Sequence, residues 1–267
     1  MPNTARSEDP VHAYLIDLDG TLYADGRAIA GAPAALERLQ ARRVPFRVVT
    51  NTTSRSRSML VKRLEGYGFQ IGAEEIFTAT FVGADLARAS GYTSVSPFIP
   101  DPALEDLEGL ELIGGTSGRP ANRVPDAILV GDLGERWNYA LMQEAFDYLM
   151  SGCAFVAFSR DRYWLRDGRL ALDAGPFVAG LEFASGKSAR VAGKPSPDFF
   201  QAALRSLGTI RPERVAMVGD DLWSDVQGAQ NAGLQGWLVR TGKYRPAGAR
   251  ESGIHPHRTL DSIAALE

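Results

Sequence analysis

Three short apolar runs, each ending abruptly in polar or glycine-rich sequence, constrain this chain more than any other feature. They are residues 12–16 before Asp17, 46–49 before Thr50 and 215–218 before Gly219. Each is too short for a globular helix and contains β-branched residues, so each predicts a parallel strand buried on both faces. Residues 237–239, before Thr241-Gly242, predict a fourth. Helical patterns fall between them. Pro33 opens one that carries Leu36 and Leu39, and Met59, Leu60 and Leu64 mark another. The clearest has Ser196 as N-cap, Pro197 in the first turn and Gly208 just past the end, with Phe200, Ala203, Leu204 and Leu207 on one face. Strands alternating with helices predict an α/β fold: a doubly wound, Rossmann-like parallel sheet covered on both faces.

The middle of the chain reads differently. From residue 79 to 185 it shows glycine-rich turns, a strand-like run at 127–130 and a helix marked by Tyr139, Met142, Phe146 and Leu149. A further run at 154–158 leads into Ser159-Arg160-Asp161-Arg162-Tyr163-Trp164. This pattern predicts a smaller α/β domain inserted into the first. A length of 267 residues fits one large domain or two modest ones. The expected organisation is therefore a discontinuous core, 1–78 and 186–267, with an inserted domain at 79–185.

Composition removes several classes of function. One cysteine, Cys153, excludes a disulfide framework, and three histidines argue against a zinc site. A formal charge of −3 gives no sign of a nucleic-acid or membrane-surface partner. The first ten residues are polar and the apolar stretch after them is short, so neither an export signal nor a membrane span is expected. A cytoplasmic location follows as an expectation, under which the Asn51-Thr52-Thr53 sequon stays unglycosylated. Only four of the 29 basic residues are lysines: Lys62, Lys187, Lys194 and Lys243.

Candidate chemistry gathers at the ends of the predicted strands. Asp17 and Asp19 sit where the first strand runs out into Gly20-Thr21. Residues two apart on an extended chain face the same way, so both carboxylates reach one centre if the extension holds. By itself such a pair usually marks a turn or cap. Thr50-Asn51 follows the second strand and offers a hydroxyl and a backbone N–H to an anion. Lys194, before a capped helix, is the one lysine expected where an anion must be met. Gly219-Asp220-Asp221 ends another strand, and Asp225 lies five residues beyond Asp220, as a cap or as part of a site. Paired carboxylates at a strand end call for a cation. Asp17 and Asp220 with a backbone carbonyl supply the hard oxygen ligands that Mg²⁺ prefers. Such an ion keeps Asp17 ionised as a nucleophile, while Thr50 and Lys194 hold phosphoryl oxygens and Asp19 moves a proton.

This constellation resembles the haloacid dehalogenase-like phosphatase superfamily, whose four motifs are matched in order. The matches are Asp17-Leu18-Asp19-Gly20-Thr21, Thr50, Lys194, and Gly219-Asp220-Asp221 with Asp225. The resemblance implies Asp17 as nucleophile and Asp19 as acid/base, with Leu18, Asp19, Thr50, Asn51 and Lys194 binding phosphate. It implies Mg²⁺ held by Asp17, the Asp19 carbonyl and Asp220, with Asp221 and Asp225 in the outer shell. The motif spacings are 33, 144 and 26 residues. A large gap between second and third motifs is similar to the NagD-like phosphatases, whose α/β cap sits there. Gly175-Pro176-Phe177, Gly193-Lys194-Pro195 and Thr241-Gly242-Lys243-Tyr244 resemble the branch containing phospholysine phosphohistidine inorganic pyrophosphate phosphatase. Thr50-Asn51-Thr52-Thr53 departs at its third position from the Thr-Asn-Asn common in the subgroup.

The resemblance therefore implies a Mg²⁺-dependent phosphatase for a small phosphorylated compound, with a homodimer formed through the cap. A phosphoacceptor protein without enzymatic activity is the alternative from another class; a dehalogenase, phosphonatase or phosphomutase keeps the scaffold and changes the reaction. Arg160, Arg162, Tyr163 and Trp164 either face substrate from the cap or form a solvated turn. Residues 180–188 imitate a nucleotide-binding loop, but five residues separate the glycines where four are required, and no strand precedes them.

Overall fold

The computed structural model describes residues 10–166 and 169–266; residues 1–9, read above for an export signal, lie outside the described residues. Its contacts divide the chain into two compact units, Met1–Thr50 with Lys62–Ile76 and Phe200–Glu267, and Asn51–Val61 with Phe77–Phe199.

The first unit is built on a sheet with strand order Arg258–Leu260, Gln235–Val239, Val215–Gly219, Ala13–Asp17, Phe46–Thr50, Ile76–Thr78. From Arg258–Leu260 through Phe46–Thr50 every neighbouring pair is parallel. The strands Ala13–Asp17, Val215–Gly219 and Gln235–Val239 are buried along their whole length, as continuous apolar runs require. Helix Ala32–Ala41 carries Pro33 in its first turn and buries Ala32, Ala35, Leu36 and Leu39. Helix Arg57–Glu65 buries Leu60 and Leu64, but Met59 is 39% exposed and stands outside the expected apolar face. In helix Pro197–Ser206 the buried face runs through Phe199, Phe200, Ala202 and Ala203, leaving Leu204 only half-buried.

The second unit has its own parallel sheet, in the order Arg190–Val191, Ala154–Ala157, Ala127–Val130, Ser94–Phe98, Glu111–Leu112. Successive residues of a strand face opposite sides. Ala127, Leu129, Val156 and Phe158 therefore join one core cluster, while Ile128, Val130, Phe155 and Ala157 join the other. In the second cluster Trp137 stacks on both Phe98 and Phe177, at ring separations of 5.8 and 4.9 Å. Cys153 lies there too, and burial pushes its thiol up to about 11, the range of an inert side chain. In an antiparallel hairpin, Tyr163–Arg166 with Arg169–Leu172, the side chains of Tyr163, Trp164, Leu170 and Leu172 are exposed. Residues 180–188 span the end of helix Ala174–Ser185 and its left-handed Gly186 cap, which rules out a nucleotide-binding loop.

Ser94–Phe98 went unpredicted although it is fully buried and lies between two neighbours. Two serines and Pro97 hide it, since proline argues against a central strand. The ladder shows why proline is tolerated. Thr93 and Val95 present their carbonyls to Glu111 and Ile113 on the edge side, and the Pro97 carbonyl follows them toward Thr116. The missing N–H thus falls beyond the short Glu111–Leu112 strand, where no ladder bond is due.

Helix Ala79–Ala89 supplies a sign test for packing against propensity. A Cβ at Gly83 would lie 2.2 Å from Cε1 of Phe158, a ring that is fully buried. Alanine gains about 1 kcal/mol of helix propensity, while overpacking costs about 1–3 kcal/mol. Gly83→Ala is therefore expected to lower the urea midpoint; a stabilised variant would show that the ring yields freely.

Candidate active site

The first sheet reverses its winding between Ala13–Asp17 and Val215–Gly219. From the former the chain adds strands in one direction and from the latter in the other. Open α/β sheets hold ligands in the crevice outside the carboxyl ends at such a reversal. Ile16 is paired with Val218, so Asp17 stands level with Gly219 and Asp220 follows directly beside it. Asp225 returns to the same point from a π-helical turn, Leu222–Gln227. Its Oδ2 accepts the Asp221 N–H at 3.1 Å and covers Gly219 so closely that a Cβ there would lie 2.2 Å away. Asp17, Asp220 and Asp225 are all buried, and each brings a carboxylate oxygen within 4.8 Å of the others.

The surrounding backbone is shaped to this cluster. Gly20 and Gly242 both have positive φ, 87° and 54°, and a Cβ on either would fall 2.0 or 1.9 Å from Oδ2 of Asp220. The Thr241 hydroxyl ties the two loops by donating to the Gly20 carbonyl at 2.5 Å. The carbonyl of Leu18 accepts from the N–H groups of Thr21, Leu22 and Tyr23, and the Thr21 hydroxyl donates to Asp17 at 3.2 Å. Leu18 itself is buried. This turn ends the extension that would have aimed both first-motif carboxylates alike: Asp17 points into the cluster and Asp19 is exposed.

Burial pushes the Asp220 carboxyl up to about 8, and the charges of Asp17 and Asp225 add to it; the Lys243 N–H, 2.6 Å from Oδ2, offsets part. Asp221 behaves oppositely. Burial raises it, but the Lys243 ammonium at 3.0 Å and the N–H groups of Ser224 and Trp223 outweigh that and hold it below the ordinary carboxylate range. Lys243 is thus paired with a carboxylate of the protein itself, a partner the sequence reading did not assign. The run Thr241-Gly242-Lys243 after a strand was the signal for it. Three mutually repelling, buried oxygen donors with no thiolate or imidazole among them fit a hard divalent cation.

Thr50 is the buried last residue of its strand. Asn51 and Lys194 fall in the second unit, where the Asn51 side chain bonds the Lys194 backbone, and Lys194 is 3% exposed. Arg160 pairs with Glu182 at 2.6 Å, Arg162 is exposed, and Tyr163 and Trp164 stand exposed on the hairpin rather than in a turn.

With this geometry in place, comparison with known proteins places the chain. A family profile described as haloacid dehalogenase-like hydrolase matches residues 14–112, and one described as HAD-hydrolase-like matches 191–266. The bovine (Bos taurus) haloacid dehalogenase-like hydrolase domain-containing protein 2 is 40% identical over 253 residues, 94% of this chain and 92% of its own. Human phospholysine phosphohistidine inorganic pyrophosphate phosphatase is 32% identical over 262 residues, 95% and 92% of the two chains. Among solved structures, p-nitrophenyl phosphatase from Archaeoglobus fulgidus superposes with a TM-score of 0.87 at 25% identity, covering 97% and 98%. NagD from E. coli K-12 shares the fold, with a TM-score of 0.84 at 24% identity over 97% and 99%. The chain belongs to the haloacid dehalogenase-like hydrolase family and is a phosphatase-type hydrolase with a NagD-like fold. Among the described residues no helix is long and apolar enough to cross a membrane.

The raised Asp220 carboxyl gives a signed pH dependence. Without a cation the folded chain holds a proton there up to about pH 8 that the unfolded chain releases near 4. The folded state binds more protons across that window, so metal-free stability falls as pH rises through it. A divalent cation displaces the proton, and its stabilising effect should grow from pH 6 to pH 8. Thermal melts with and without the ion at each pH measure this; a pH-independent increment would contradict it.

Proposed function

We propose that this hydrolase is a Mg²⁺-dependent phosphatase that cleaves a small phosphorylated metabolite, a phosphomonoester or pyrophosphate-like compound, through an aspartyl-phosphate on Asp17. The observation that carries the reading is Asp17 itself, at the winding reversal of the sheet and inside a buried acidic cluster built for a cation. The names of the human relative and of the Archaeoglobus neighbour support the substrate class.

Asp17, Asp220 and the Asp19 carbonyl hold the ion in this reading, with Asp225 beside them and Asp221 in the outer shell. When bound, Mg²⁺ neutralises the cluster and the incoming phosphate dianion. A carboxylate oxygen of Asp17 attacks phosphorus, and the bond to the leaving oxygen breaks as Asp19 gives that oxygen its proton. Water then attacks the phosphorus of the acyl phosphate while Asp19 takes its proton, returning Asp17 and releasing inorganic phosphate. The exposure of Asp19 suits a group that must meet a leaving group and then water. Leu18 and Asp19 through their backbone, Thr50, Asn51 and Lys194 hold the phosphoryl oxygens.

Residues 1–78 and 186–267 form the catalytic core in this reading, and residues 79–185 are the cap that selects substrate. Arg160, Arg162, Tyr163 and Trp164 are its candidate specificity residues. A homodimer formed through the cap belongs to the same reading. We place the protein in the cytoplasm, with a small phosphorylated substrate and with neither nucleic acid nor membrane as partner.

A metabolite-phosphate panel assayed with and without Mg²⁺ tests the activity. Asp17→Asn should abolish phosphate release, and Asp19→Asn should slow turnover by about 10²–10⁴-fold while metal binding survives. Normal release by Asp17→Asn removes the nucleophile, and metal-independent turnover of a haloacid replaces the phosphatase reading by a dehalogenase.

A further inference from the structure

In the second unit, strand Arg190–Val191 pairs with Ala154–Ala157, and the pattern ends where the Ala192 N–H donates to the Ala157 carbonyl at 2.8 Å. Lys194 comes two residues later, where a longer strand would pair its backbone groups. One side chain meets both of them. Asn51 Oδ1 accepts the Lys194 N–H at 2.7 Å, and Asn51 Nδ2 donates to the Lys194 carbonyl at 2.9 Å. A primary amide carries the same donor and acceptor as a peptide group. Asn51 thus stands in for the absent neighbouring strand.

The amide is held one way round. Asp161 Oδ2 lies 3.3 Å from Nδ2, so a flipped amide would turn its carbonyl toward that carboxylate and toward the Lys194 carbonyl. Asp161 is itself anchored: its N–H donates to Ser159 at 2.9 Å, and its carbonyl accepts the Gly175 N–H at 3.0 Å, at the start of helix Ala174–Ser185. The approach also demands glycine beside the lysine. A Cβ at Gly193 would lie 2.2 Å from the Phe158 carbonyl and 2.8 Å from Asn51 Oδ1.

We propose that Asn51 is a positioning residue that acts through Lys194, and that Asp161 fixes the amide orientation on which this depends. With both backbone polar atoms of Lys194 pinned, only its side-chain torsions remain to place the ammonium. The proposal rests on the reading above that Lys194 meets the phosphoryl group. It gives the Asn51 side chain a duty other than phosphate contact and makes Asp161 part of the same device.

A mutant cycle on p-nitrophenyl phosphate tests it. Asn51→Asp keeps the size but sets an acceptor against the Lys194 carbonyl and Asp161. Misplacement of a charge-stabilising group by about 1 Å costs on the order of 10²-fold, so kcat should fall roughly 10–100-fold. The half-saturating Mg²⁺ concentration should stay within about 2-fold, because the acidic cluster is untouched. Adding Asp161→Asn returns a donor to the pair and should recover at least about 3-fold in kcat, whereas in a Lys194→Met background Asn51→Asp should cost less than about 2-fold. An equal cost in both backgrounds, or unchanged kcat in Asn51→Asp while Lys194→Met is crippled, overturns this proposal alone. Wild-type turnover by Lys194→Met overturns the assigned role of Lys194 and the proposal with it.

Discussion

Mutual repulsion among three buried carboxylates is the constraint around which the first unit is arranged. At about 4 Å and an effective dielectric near 20, each ionised pair opposes folding by roughly 4 kcal/mol. No structure keeps such a cluster without compensation. Part of it is local: the Lys243 and Asp221 N–H groups and the Thr21 hydroxyl donate to the cluster. The rest is left to proton uptake or to a cation, and the raised Asp220 carboxyl is the imprint of burial and of this repulsion.

That constraint explains features with no other evident use. Gly20 and Gly242 are where side chains would strike Asp220, and both take backbone angles that favour glycine. The π-helical turn after Asp221 lets Asp225 face back over Gly219, while Asp221 caps the turn and takes Lys243. A regular helix turn would set those carboxylates at a different angle; single π turns are concentrated at functional sites for this reason. The second unit meets a gentler version of the same demand. There the backbone N–H and carbonyl of Lys194 bond the Asn51 amide rather than a neighbouring strand.

Much of the fold was legible because burial on both faces leaves a direct trace. The runs at 12–16, 46–49, 127–130 and 215–218 each became strands, since four or five apolar residues before a polar turn are too few for a globular helix and suit a strand buried on both faces. Where that trace is broken, the reading failed. Pro97 and two serines concealed Ser94–Phe98, whose burial comes from its neighbours rather than from its own composition. Tyr139 marked the right helix but stands on its exposed side, because periodicity reports the existence of a face more reliably than its membership.

For the site, the sequence by itself determined which residue types end which strands, and so the chemistry on offer: Asp17, Thr50 and Asp220 each come at the end of a run too short for a helix and suited to a buried strand. Their adjacency was decided by the tertiary structure, because strand order is a property of the sheet and not of any local segment. Only the pairing of Ala13–Asp17 with Val215–Gly219 brings Asp17 level with Gly219 and so beside Asp220, across about two hundred residues. The same holds for Lys243, whose duty appears only once its loop closes on Asp220 and Asp221, and for Asn51, whose amide acquires a role from a strand that stops two residues short of Lys194. Local sequence sets local conformation through sterics and burial; long-range pairing alone decides which charges must share a space.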